Sequence, residues 1–459
     1  MLRFLRNRGQ RTRQAIRTSA FLGLARAVRI GTSFIAVRIT LPYLGTEMYG
    51  LWLTITSLAA LFAFADLGLG NGLVTSIAEA YGSRDLDRQR RLVSSAFFAL
   101  LAVAVIGSIG FAIAYPSISW ERVFNVHTDA AIRSVGPAAA VFIAFLLINL
   151  PLSAVQRLQF GLQEGDRSAL WDAIGSVLGL AGLLTAIHLT LDLPRLVFAY
   201  TLGPTLALLM NSAVVFGGRH SALRPRFLHL EVATSFNLLR LGGMFFAVQI
   251  AMALAFYSDS IIIAHKLSAG AVPMYAVPAK LYDAVSMVMS IFLAPLWPAY
   301  GEAIARGDLR WVKKVLVTSL LATGGICGLA AVTLGVLANT LLRWWVGPSI
   351  VATPILLVGL GLWLVLSNMG SAVAMLLNGS GRVRIQFQLA LALGVGTPVL
   401  KLLFIPYVGV AGVVWGTVAA YCLITVGTMV FYVPGLLRSL EDRMSRSFAP
   451  PLAPEESPT

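Results

Sequence analysis

Apolar stretches of about twenty residues recur along the whole chain, separated by short polar turns. They fall near 20–41, 48–69, 92–115, 135–156, 168–190, 196–217, 240–265, 274–297, 315–341, 353–377, 385–405 and 409–432. As a helix rising 1.5 Å per residue, each reaches across a ~30 Å hydrocarbon core. In lipid the backbone must satisfy its own hydrogen bonds, so such runs become helices, and the alternating pattern of a barrel strand is absent. The pattern predicts an all-α, polytopic membrane protein of about twelve transmembrane helices, with both termini on one side.

Composition excludes a soluble alternative. The chain is 58% hydrophobic and 12% charged with a mean hydropathy of +0.81, against roughly 25% charged residues in a soluble domain. The net charge of +15 would raise the question of nucleic acid in a soluble protein. Here the basic residues track the turns instead, so no nucleic-acid partner is expected. Of the 35 Lys and Arg, 25 lie at the N-terminus, on every second connection and in the tail, five on the opposite side and five inside spans. By the positive-inside rule this asymmetry puts both termini in the cytoplasm and the chain in the inner membrane. One helix missed or invented would scramble the alternation, so the count also supports twelve spans. The first nineteen residues hold six arginines ahead of an apolar run without a small-residue cleavage site, and read as a retained signal-anchor.

Internal repetition divides the chain. EAYGSRDLDRQRR at 79–91 aligns without gaps on EAIARGDLRWVKK at 302–314, 223 residues later. GTEMYGLW (45–52) resembles GAVPMYAV (270–277), and LQEGDR (162–167) pairs loosely with LNGSGR (377–382). The three markers keep their order and occupy equivalent turns, which predicts two six-helix halves. An even number of helices per half makes them parallel repeats around a central cavity, a transporter plan. The expected units are a basic N-terminus (1–19), a first half (20–217), a basic linker (218–239), a second half (240–432) and a tail (433–459) whose Pro-rich end is expected to be disordered.

Ionisable side chains inside spans are the candidates for function, because each costs ~2.5–3.5 kcal/mol at mid-bilayer unless it faces a cavity or a partner. Arg26 and Arg29 share one face of the first helix and suit a diphosphate; snorkelling to the headgroups is the plain alternative. Arg38 lies on the opposite face near the outer end, where snorkelling suffices. Asp66 opens DLGLGNGL, whose glycines predict a broken helix, and broken helices often line binding sites. Lys280 and Asp283 can pair at i, i+3. Asp259 has no partner on its own helix and so suits a proton or cation. Lys401, Pro204, Pro295 and Pro298 are assigned to helix ends or kinks.

Other chemistry finds little support. Cys327 and Cys422 fall in spans and read as small buried hydrophobes, with no disulfide framework. The five histidines lack metal-site spacing and no phosphate-binding loop occurs, so no metal, cofactor or direct ATP use is expected. The longest outer loop, about 116–134, contains SWERVFNVH, a short interfacial helix. It is too small for a catalytic domain, so no enzyme activity is expected.

LGTEMYGLW (44–52), FADLGLGNGLV (64–74), RRLVSSAF (90–97), FGLQEGDR (160–167) and FYSDSIIIAHKLSAGAVPMYAVPAKLYD (256–283) resemble the polysaccharide repeat-unit flippases of O-antigen and capsule type. These belong to the multidrug/oligosaccharidyl-lipid/polysaccharide exporter superfamily. The resemblance implies a flippase that carries an undecaprenyl-pyrophosphate-linked oligosaccharide from the cytoplasmic to the periplasmic leaflet by alternating access, coupled to an ion. It implies Arg26, Arg29 and Lys280 as the pyrophosphate and cavity residues, with Asp66, Asp259 and Asp283 as candidates for coupling or gating. Its expected partners are the lipid-linked oligosaccharide, membrane lipids, and a polysaccharide polymerase with its chain-length machinery. The alternatives are a cation-coupled multidrug exporter of the same superfamily, disfavoured by the cavity cations, and a peptidoglycan-precursor flippase, which typically has fourteen helices.

Overall fold

A computed structural model describes residues 2–61 and 65–447; the Pro-rich stretch 448–459, expected to be disordered, lies outside them. The first half runs through α1 (Leu2–Leu61), α2 (Leu69–Gly82), α3 (Leu86–Ala114), α4 (Trp120–Phe124), α5 (Asp129–Leu152), α6 (Ala154–Gly161), α7 (Gly165–His188) and α8 (Leu193–Val214). Irregular turns over 220–231 lead to the second half: α9 (Val232–Phe256), α10 (Asp259–Lys266), α11 (Val272–Leu293), α12 (Leu296–Ala305), α13 (Leu309–Val346), α14 (Pro354–Gly379), α15 (Val383–Val408), α16 (Ala411–Ala420) and α17 (Gly427–Ser447).

Among the described residues nine helical stretches are long and apolar enough to cross a membrane, and the pair Val232–Gly243 and Phe246–Phe256, bent by 45°, makes a tenth when counted as one span. The two remaining crossings of the expected twelve begin in α1, which Gly45 breaks at φ 72°. Arg26, Arg29 and Arg38 depress the apolarity of its first segment. Ile113, Leu321, Val336 and Phe431 point outward at 72%, 72%, 75% and 82% exposure. That pattern is correct for a protein whose surroundings are lipid tails.

The repeat has a structural counterpart in the helix ends. Asp85 caps α3 by accepting from Arg88 N at 2.9 Å, and Asp308 caps α13 by accepting from Trp311 N at 3.0 Å. The residue before each cap is left-handed, Arg84 at φ 57° and Gly307 at φ 76°. The next three turns repeat the device, with Asn125, Gln163 and Thr190 in the first half and Gly347, Gly381 and Gly409 in the second.

The halves meet along two seams. At one, helices α2 and α9 cross with backbones nearly touching: a Cβ on Gly68 would lie 2.2 Å from the carbonyl oxygen of Gly242, and one on Gly242 2.2 Å from that of Gly68. At the other, the two outer turns that resemble one another in sequence pack together, so that a Cβ on Gly50 would run into the carbonyl oxygen of Ala269. Phe34 stacks on Trp345 at 4.5 Å, and the indole Nε1 donates to Phe34 O at 3.0 Å. The short helix expected in the 116–134 loop is α4, and Asn125 just after it donates to Leu267 O across the halves at 3.0 Å.

Candidate functional site

Helix α1 runs between the halves and supplies cations to both. Arg26 Nη1 donates to Ser290 Oγ on α11 at 3.3 Å. Two turns on, Ser33 Oγ accepts from Lys280 Nζ, also on α11, at 2.9 Å. Three residues from Arg26, Arg29 turns into a 230 Å³ pocket within the first half, facing Asp172 and Trp171 of α7 and Gln156 of α6. The pair at i, i+3 therefore shares a helix face, as its spacing requires, but serves two neighbours. Arg38 extends over the ring of Trp344 at 5.4 Å, a cation–π contact near the end of α13.

A second cavity, about 500 Å³, opens between α1 and the second half and brings together Asp259, Tyr275, Lys280, Asp283 and Ser286. Lys280 and Asp283 do not form the ion pair that their i, i+3 spacing allows: no contact within 4.0 Å joins them, and Lys280 reaches to Ser33 instead. Asp283 stands exposed to the cavity without a hydrogen-bond partner. Asp259, unpartnered on its own helix, is engaged from two others. Its Oδ2 accepts from Tyr275 Oη at 2.6 Å, and its Oδ1 pairs with Lys401 Nζ, which also donates to Ala255 O at 2.6 Å.

Lys401 is 0% exposed, so its assignment to a helix end is corrected: it is the deepest charge in the second half. The carboxylate and a carbonyl satisfy an ammonium that would otherwise be prohibitive to bury. Only packing reveals this pair, because its partners are 142 residues apart. Gly416 makes room for it, since a Cβ there would lie 2.5 Å from the Lys401 Cα.

Asp66 sits away from both cavities, in the break that its glycines predict. Leu67 and Gly68 are left-handed at φ 53° and 79°. Asp66 is 4% exposed, its Oδ1 accepts from Gly68 N at 2.9 Å, and its Oδ2 lies 3.7 Å from Arg157 Nη2. Of the six candidates, Asp259, Lys280 and Asp283 thus share one cavity, Arg29 lines the smaller one, Arg26 ties α1 to α11 through Ser290, and Asp66 braces a helix break. Sequence reasoning missed Asp172, Gln156 and Arg157. Asp172 was legible as a carboxylate inside the fifth span; Gln156 and Arg157 look like ordinary residues of a polar turn. Among the described residues no group of three His, Cys, Asp or Glu could hold a metal ion.

The fold is shared with solved transporters. Solved structures that match it include an inward-facing multidrug resistance MATE family transporter of the MOP superfamily, with a TM-score of 0.72, 17% identity, and coverage of 88% of this chain and 98% of that one. The outward-facing form of a MATE family transporter of that superfamily matches at 0.65, covering 93% and 96% at 17% identity. A MOP superfamily transporter from Pyrococcus furiosus, described as having a binding pocket of reversed polarity, also matches at 0.65, with 16% identity over 93% and 96%. At these identities the likeness shows the fold alone: an all-α membrane architecture shared with those structures.

The sequence comparisons narrow this. The profile of the polysaccharide biosynthesis protein family matches residues 16–304, and the chain belongs to that family. A putative O-antigen export protein of Yersinia pseudotuberculosis is 25% identical over 297 residues, 61% of this chain and 64% of the relative. A putative O-antigen transporter of Salmonella typhi is 23% identical over 309 residues, 66% and 68% respectively. The match thus spans about two thirds of each relative's length.

Proposed function

We propose that this protein flips a polyprenyl-pyrophosphate-linked oligosaccharide, of the undecaprenyl type, from the cytoplasmic to the periplasmic leaflet of the inner membrane by alternating access, its basic face and both termini cytoplasmic. The observation that carries the reading is the charge of the cleft. Arg26 and Lys280 lie where α1 meets α11 and Arg29 lines the pocket of the first half, three cations against the open carboxylates of Asp172 and Asp283, while the Asp259 carboxylate is neutralised by Lys401 behind it. An anionic headgroup is attracted there, whereas a cationic drug is repelled. The pyrophosphate sits between Arg26 and Lys280, the sugars fill the polar cavity and the prenyl tail stays in the bilayer.

Flipping makes and breaks no covalent bond, so net movement requires a difference in stability between inward-open and outward-open states. Among the three carboxylates named for coupling, Asp283 is the best fitted, because Asp66 and Asp259 already have cationic partners. The polysaccharide polymerase and chain-length machinery are the partners expected to consume the flipped unit.

The test is a strain lacking this chain. It should accumulate lipid-linked oligosaccharide on the cytoplasmic leaflet, and Arg26→Gln with Arg29→Gln should restore less than about a tenth of wild-type export, since each charged hydrogen bond lost is worth ~1.5–3 kcal/mol. Normal surface polysaccharide in the deletion strain, with no internal accumulation, would refute the reading. Asp283→Asn should remove any dependence on the ion gradient while the substrate still binds.

A further inference from the structure

We infer that the small pocket around Trp171 and Asp172 is a sugar subsite that reads the monosaccharide next to the pyrophosphate. The inference rests on the flippase reading above and adds a location and a chemistry for headgroup selection.

Several polar groups around this pocket are left unused. Gln156 Nε2 donates to Asp172 Oδ1 at 2.6 Å, fixing the carboxylate. Ser176 Oγ donates to the Asp172 carbonyl at 2.9 Å, which leaves that hydroxyl oxygen free to accept. Asp172 Oδ2, the Arg29 guanidinium and the Trp171 indole N–H have no hydrogen-bond partner among the described residues, and Trp171 has no ring partner there. Arg29 and Asp172 line the same 230 Å³ pocket, yet no contact within 4.0 Å joins them. Opposite charges held apart across a cavity leave a place for a ligand that donates on one side and accepts on the other.

That requirement discriminates between ligands. A phosphate only accepts, and the Asp172 carboxylate repels it. An organic cation only donates, and Arg29 repels it. Sugar hydroxyls do both, and the unstacked indole gives the apolar face of a pyranose a surface to lie on. The volume falls below the ~300–1,000 Å³ of pockets that take drug-sized ligands, so the pocket holds one ring rather than an oligosaccharide. Its floor is stiff: a Cβ on Gly175 would come within 2.9 Å of Pro204 Cα, so α7 and α8 are in backbone contact. Rigid helices give the geometric precision that recognition needs. Arg26 and Arg29 are one turn apart, roughly 5–6 Å between Cβ atoms, which is adjacent enough for a pyrophosphate at Arg26 to present its first sugar to Arg29 and Asp172.

The experiment measures binding of four lipids to the purified full chain in nanodiscs: a prenyl pyrophosphate without sugar, and the same lipid bearing N-acetylglucosamine, galactose or glucuronic acid. Wild type should bind at least one glycosylated lipid about tenfold more tightly than the sugarless one, the size of one or two hydrogen bonds. Asp172→Asn and, independently, Trp171→Leu should bring that ratio close to one without weakening the sugarless lipid, whereas Arg26→Gln should weaken all four in proportion. A wild-type ratio near one for all three sugars would overturn the subsite, as would an unchanged ratio in both pocket variants. Failure of wild type to bind any of the four would instead overturn the flippase reading.

Discussion

The two halves follow one plan with different materials. After the second, third, fourth and fifth helices of each half the chain passes through a left-handed residue. The second half uses Gly307, Gly347, Gly381 and Gly409, whereas the first uses Arg84, Asn125, Gln163 and Thr190. A left-handed residue with a Cβ costs roughly 1–2 kcal/mol that glycine avoids. The charges differ in the opposite sense. The second half buries its deepest cation against Asp259 and the Ala255 carbonyl, while the first half leaves Arg29 and the outer oxygen of Asp172 unpaired beside a pocket. The lesson is that a shared topology constrains where turns and cavities fall, and leaves each half free to place strain or open charge where its own role requires.

The comparison can be broken most severely at the buried pair. Removing one partner leaves an uncompensated charge in a low-dielectric interior, so Lys401→Met should destabilise the second half by about 3–5 kcal/mol. Combining it with Asp259→Asn should recover most of that loss. Thermal unfolding in detergent reads both, and equal melting temperatures for wild type and the single variant would show that the pair contributes nothing. Next in size is the seam between α2 and α9. Gly242→Ala puts a methyl 2.2 Å from the carbonyl oxygen of Gly68, an overpacking worth about 1–3 kcal/mol. It should push the halves apart on that side, visible as increased labelling of a cysteine introduced at Leu238.

The turns offer a sharper and smaller contrast. A Cβ at Gly347 meets nothing within 4 Å, so Gly347→Ala carries only the cost of its φ of 87°. It should lower stability by about 1 kcal/mol. Thr190→Gly in the first half should raise it by about half that, since relief of a β-branched residue at φ 53° outweighs the added chain entropy. A loss at Thr190 as large as that at Gly347 would mean that the threonine is held by more than its backbone.

The smallest expected effect is a pH dependence at the outer turn. Burial raises the Glu47 carboxyl, but the backbone N–H groups of His127 and Thr128, the Thr128 hydroxyl and the His127 charge outweigh it and hold the group below its ordinary value of 4.5. A depressed folded-state pKa stabilises the protein above the unfolded value, and the contribution fades as pH falls through the folded one. The melting temperature should therefore drop below pH 4.5 in wild type, by less in Glu47→Gln. Identical acid profiles would remove this link between the outer turn and the α4 loop.

The fold was largely legible because lipid imposes a strong rule on local sequence. Apolar length, the 25 basic residues on one side and the doublet at 79–91 and 302–314 are properties of contiguous stretches, and they led to about twelve helices in two halves. The break at Asp66 was equally local, since Gly68 and its neighbours weaken a helix wherever they stand. The site was less legible. The sequence singled out the intramembrane charges as unusual but could not say which meet, and the pairing that spacing allowed, Lys280 with Asp283, yields to a contact with Ser33 on another helix.

What the sequence by itself determined is the all-α membrane architecture and its two-fold plan, because helix formation in lipid and the distribution of basic turns depend on residues close along the chain. Only the tertiary structure decided that Lys401 neutralises Asp259, that Asp283 stands open to a cavity and that Arg29 faces Asp172 across another. Those outcomes depend on which helix faces turn towards each other across more than a hundred residues of chain, and hydropathy carries no information about that rotation.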